Sequence, residues 1–162
     1  MRLEERLRRE IRKMIAESYS PSWAEERVFD ELHRMSGRRG LPVTHETPAE
    51  NIEGIKSAGA VEGSYGVFFS VGHLKQPAFI TGAGYMIHGY LPRQMLNSNT
   101  THPDMIYAPG NVDEDDMLTG EEEDYFEVMW NQTRGQLFGA LLSTNLEEWP
   151  AKYWERIVPN GL

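Results

Sequence analysis

LPVTHETPAENIEGIKSAGAVEGSYGVFFS, residues 41–70, reads as a short strand carrying a histidine, a short helix, a glycine turn and a second strand. Leu41–Thr44 has strand character. Pro48–Ala58 has helical character, with Pro48 in the first turn, Ile52 and Ile55 on the inward face and Gly59 at the C-terminal end. Gly63 and Gly66 supply the turn before Val67-Phe68-Phe69, which is strand-like. A strand end beside a helix start leaves backbone donors free, so this layout predicts a nucleotide pocket around His45.

Upstream, Leu3, Leu7, Ile11, Met14 and Ile15 recur at three- and four-residue spacing, predicting an amphipathic helix over 2–17. Ser20-Pro21-Ser22 interrupts it. Ser22 followed by Glu25 is a capping-box pattern that opens a second helix through Met35, with Trp23, Val28, Phe29, Leu32 and Met35 as its apolar stripe. Ser36 to Gly40 is a turn, so residues 1–40 read as a helical hairpin appended to a main body over 41–162.

Downstream, Ala78–Thr81, Tyr85–Leu91, Met105–Tyr107 and Tyr125–Trp130 are candidate strands bounded by Gly, Pro or Asn. Residues 110–124, GNVDEDDMLTGEEED, predict an acidic surface loop. Gln136–Leu142 and Glu148–Arg156 look helical. The strand and helix assignments together support a mixed α and β class.

Composition narrows the chemistry. The chain has 162 residues, 40% of them hydrophobic, and no cysteine, which excludes disulfides, thiolate nucleophiles and Cys-ligated zinc. No run of 18 or more apolar residues occurs and the N-terminus is densely charged, so neither a membrane span nor a cleaved leader is expected, and the expected setting is cytoplasmic or within a virus particle. The net charge of -9 divides into +2 over residues 1–40 and -11 over 41–162. An acidic body repels phosphate backbones and disfavours a nucleic-acid partner.

Three places carry candidate chemistry. His45-Glu46-Thr47 follows the first strand, Gly66-Val67-Phe68-Phe69-Ser70 is the second, and Glu127 lies in the strand-like run Asp124 to Trp130, with Glu123 as its competitor. On the residues alone, His45 could equally cap a turn, and Phe68 and Phe69 point to opposite faces of a strand, so at least one belongs to a core. His73, His88, His102 and Asp104 match no metal-ligand spacing, and Asp113-Glu114-Asp115-Asp116 lacks the pattern of a calcium loop. No Gly-x-Ser-x-Gly elbow or phosphate-cradling Gly-Lys-Ser/Thr loop is present.

The His45–Thr47, Gly66–Ser70 and Glu127 pattern resembles the ADP-ribosyltransferase fold of the diphtheria-toxin and poly(ADP-ribose) polymerase type. The resemblance covers roughly ninety residues and is best over 41–70; Glu46 stands where that family usually has glycine. It implies an α+β fold with a pair of small sheets facing each other across a cleft for NAD. It also implies that His45 and Thr47 bind NAD, that Phe69, Ser70 and Tyr85 (or Tyr90) line the nicotinamide side, and that Glu127 stabilises the oxocarbenium-like transition state. The implied activity transfers ADP-ribose from NAD to an unidentified protein acceptor. The competing expectation is a non-catalytic assembly or virion protein with a degenerate pocket, whose amphipathic first helix packs on a neighbouring chain.

Overall fold

The structure is a computed structural model that describes residues 3, 6–9, 23–101 and 137–160. The α+β expectation holds, since helices and antiparallel sheet are both present. Helix α1 (Trp23–Met35) precedes strand β1 (Leu41–Pro48), and helix α2 (Ile52–Ala58) leads into β2 (Ala60–Glu62), β3 (Phe68–Val71) and β4 (Gly84–Leu91). Strands β5 (Leu141–Ser143), β6 (Glu148–Pro150) and β7 (Trp154–Pro159) follow. Five strands form one sheet in the order β5-β3-β1-β4-β7, and β2 and β6 form a second.

Three members of the apolar stripe of α1 are placed as their spacing predicts, and Met35, partly buried, packs against them. Val28, Phe29 and Leu32 are buried in one core cluster with Leu41, Val43, Phe69, Val71, Ile87 and Trp149. The helix ends where Ser36 Oγ donates to the Leu32 carbonyl at 2.8 Å, and Gly37 and Gly40 then exchange two backbone hydrogen bonds across a tight turn. Residues 3 and 6–9 are helical, with Leu3 and Leu7 exposed; Ile11, Met14 and Ile15 lie outside the described residues. No helix among the described residues is long and apolar enough to cross a membrane.

The first strand runs further than its local sequence suggests. Rather than stopping at Thr44, β1 continues to Pro48 because β4 pairs with it from Leu41↔Leu91 to Pro48↔Gly84. Pro48 is therefore the last strand residue, followed by a 3-10 turn over Ala49–Asn51, and the helix begins only at Ile52. Gly59 ends α2 as expected, with φ 68° and its N–H bonded to the carbonyls of Ile55 and Lys56.

Two helices expected near the C-terminus are strands instead. The described part of 136–142 is a turn entering β5, which pairs with β3, and 148–156 is β6, a 3-10 turn over Ala151–Tyr153 and the start of β7. Trp149 and Tyr153 mimic a helical repeat because a short turn separates two strands. Partners distant in sequence, β2 for β6 and β4 for β7, decide the outcome. Ala78–Thr81 is likewise no strand, for its amides bond a side chain rather than a neighbouring strand. Residues 105–107 and 110–130, including the acidic loop and two candidate strands, lie outside the described residues.

Pairing geometry then positions the site. β3 meets β1 through only two pairs, Val43↔Val71 and Thr44↔Ser70, while β1 stays paired with β4 along all eight residues. Beyond Thr44 the sheet therefore splits, with β1, β4 and β7 on one side and β3 and β5 on the other. The face carrying Val43 and Phe69 packs on the core. The opposite face, carrying Thr44, Glu46 and Ser70, is crossed by the loop over residues 72–83.

Candidate functional site: a cavity at the split of the sheet

A cavity of about 280 Å³ lies at this split. Thr44, His45 and Glu46 from β1, Phe68, Phe69 and Ser70 from β3, Leu141 from β5, and Phe79 and Ile80 from the crossing loop line it. Its walls are almost wholly apolar, with a few polar groups at fixed places, the usual make-up of a small-molecule site.

Of the residues singled out from sequence, His45, Phe69 and Ser70 converge here. The ring nitrogen His45 Nδ1 is 2.8 Å from the Phe68 carbonyl, which can only accept, so Nδ1 carries the proton and Nε2 keeps its lone pair. Desolvation lowers the His45 pKa, against the bond to the Phe68 carbonyl and the charge of Glu46, which both raise it. The ring meets Phe69 edge-on at 6.1 Å, which fixes its plane. Ser70 is 2% exposed and lines the cavity.

Thr47 and Tyr85 are elsewhere. They form a cross-strand pair beyond His45, Thr47 buried and Tyr85 packed against the core, and neither lines the cavity. Tyr90, the other aromatic candidate, is further along β4, where its hydroxyl donates to Glu155 under the Arg39 guanidinium, 4.3 Å above its ring. Glu127 and Glu123 lie outside the described residues.

Glu46 is the residue whose role the sequence concealed. Its carboxylate accepts hydrogen bonds from three successive backbone amides, those of Ala78 at 3.0 Å, Phe79 at 3.0 and 3.3 Å, and Ile80 at 3.1 Å. These bonds hold Phe79 and Ile80 over the cavity as its roof. The signal in sequence was only that a carboxylate occupied an unusual position; the roof residues were hidden because a loop more than thirty residues downstream supplies them.

The same loop is fastened at its other end. Thr44 Oγ1 donates to the Gly72 carbonyl at 2.7 Å and accepts the Leu74 amide at 3.0 Å. His88 Nε2–H donates to the Leu74 carbonyl, while its Nδ1 accepts from Arg156 Nε at 3.1 Å. His73 stacks on His88 with centroids 5.0 Å apart and donates from Nε2 to the Gly89 carbonyl. Desolvation first, then the neighbouring His73, lowers the His88 pKa. This cluster secures the loop, and among the described residues no group of three or more His, Asp or Glu is placed to hold a metal ion. Compared with protein-family models, curated proteins and solved structures, the chain matches none of the three.

Proposed function

We propose that the chain is an NAD-dependent ADP-ribosyltransferase that takes the nicotinamide-nucleoside end of NAD into the cavity at the split of the sheet. The observation that carries this reading is the convergence of His45, Phe69 and Ser70, from two strands, on one apolar cavity. In it, His45 Nε2 accepts a sugar hydroxyl, Ser70 Oγ supplies a hydrogen bond to the ligand, and Phe68 and Phe79 flank the pyridine ring. The bond from the anomeric carbon to the nicotinamide nitrogen breaks, its electron pair leaves with neutral nicotinamide, and the cationic sugar is captured by an acceptor that gives up a proton. Glu127 is the carboxylate assigned to that developing cation, from the sequence pattern alone.

Calorimetry with NAD, with nicotinamide release followed in the same samples, tests this reading on the wild type, His45→Ala, Ser70→Ala and Glu127→Ala. The expected result is binding weakened about tenfold or more in the first two variants, and release abolished in Glu127→Ala with binding retained. A folded wild type that neither binds NAD nor releases nicotinamide removes the reading.

A second reading, an assembly protein of the same architecture, is favoured by one observation: Leu3 and Leu7 are 72% and 55% exposed on a helical segment. It predicts that Leu3→Lys with Leu7→Lys abolishes self-association or partner binding and leaves NAD binding unchanged.

A further inference from the structure

Three consecutive backbone amides converging on one anion form the concave donor array that proteins use for phosphate groups. Here the anion is the chain's own Glu46, and among the described residues no lysine or arginine pairs with it, so the amides of Ala78, Phe79 and Ile80 hold its charge by themselves. Carboxylate and phosphate oxygens offer these donors the same acceptor chemistry. Glu46, Phe79 and Ile80 line the same cavity as Ser70, which is 2% exposed. The cavity thus sets a serine hydroxyl beside an array of amides already filled from within.

We propose that the amides of residues 78–80 are an anion site, occupied in this structure by Glu46 as an internal stand-in, and that the cavity's ligand carries a phosphate or diphosphate that displaces it. The apolar walls receive the body of that ligand, the amides its anionic group, and Ser70 a further hydrogen bond. Glu46 then acts as an autoinhibitory occupant. A site closed by its own carboxylate nine-tenths of the time shows an apparent affinity about tenfold weaker than its intrinsic one. The acidic body repels extended polyanions, whereas a small phosphoester meets only this local cradle. The inference goes beyond the transferase reading, because many phosphate-bearing ligands other than NAD satisfy it.

Inorganic pyrophosphate is the probe, titrated by calorimetry and thermal unfolding into the full-length wild type, Glu46→Ala, Glu46→Gln and the double variant Glu46→Ala/Ser70→Ala, with chloride at matched ionic strength as the control. The expected result is pyrophosphate binding at least about tenfold tighter in Glu46→Ala than in the wild type, weakened again in the double variant. Glu46→Gln, which keeps an uncharged acceptor for the amides and hence the loop, is expected between the two. Should Glu46→Ala unfold, its recovery by millimolar pyrophosphate and not by chloride supports the site, and Glu46→Gln carries the affinity comparison. If Glu46→Gln and any folded Glu46→Ala bind pyrophosphate no better than the wild type, or respond equally to chloride, Glu46 is only a loop fastener. Because pyrophosphate contains no nicotinamide, this result and the NAD result can fail separately.

Discussion

A single proton decides what His45 can do. With Nδ1 committed to the Phe68 carbonyl, protonation would have to occur at Nε2, the nitrogen that the proposed ligand contact uses as an acceptor. Because the pKa is lowered from the ordinary value near 6.5, the acceptor form persists to pH values below that. Ligand binding measured across pH should therefore hold steady from pH 8 to about 6.5 and weaken only below it, while His45→Gln should remove that acid limb. At Gly66, backbone conformation and space both require glycine: φ is 98°, and a Cβ there would lie 1.8 Å from the Thr144 carbonyl oxygen. Gly66→Ala is expected to cost about 3 kcal/mol or more, since strain and a backbone clash add, and a urea titration reads this directly.

The loop over 72–83 shows how an element can be held without a ladder. Thr44, Glu46 and His88 each spend side-chain hydrogen bonds on its backbone, His73 reaches out of it to the Gly89 carbonyl, and Asn160 Nδ2 adds one to the Ile80 carbonyl at 2.9 Å. Thr44→Val keeps the side-chain shape but strands both the Leu74 amide and one acceptor at Gly72. The expected loss is about 1–3 kcal/mol, with amide exchange faster at residues 72–80 than in β1 and β4. Uniform acceleration across the sheet would instead mean that the loop and the sheet open together. None of these fasteners repeats along the sequence, which is why 78–81 reads as a strand although its amides serve a carboxylate.

For the whole molecule, the core and the acid limb of stability are linked to particular groups. Trp149 is fully buried, meets Phe69 edge-on at 4.9 Å and donates its indole N–H to the Tyr90 carbonyl at 3.1 Å, so it joins the two sheets. Trp149→Ala is expected to cost about 3–5 kcal/mol, measured as a fall in the urea midpoint, and Trp149→Phe less, since it retains most of the apolar volume. His88 sets a pH dependence. Its folded pKa is below its unfolded value, so the stability it contributes is complete above about pH 6.5 and is lost as pH falls through the lower folded value. A protonated His88 would aim a second donor at Arg156 and place a cation against His73. His88→Gln should flatten the acid limb of a melting-temperature profile, and an unchanged slope would assign that limb to other groups.

The sequence by itself determined the elements whose signals are local: the buried positions Val28, Phe29 and Leu32 of α1, the glycine stop at Gly59 and the strand around residues 85–91. These depend on periodicity and on φ at single residues, both of which a linear reading contains. Only the tertiary structure decided the length of β1, the strand identity of 148–150 and 154–159, and the partner of Glu46. Each is settled by a hydrogen-bonding partner distant in the chain, and for a short segment the energy of pairing and burial outweighs the small preference of the local sequence.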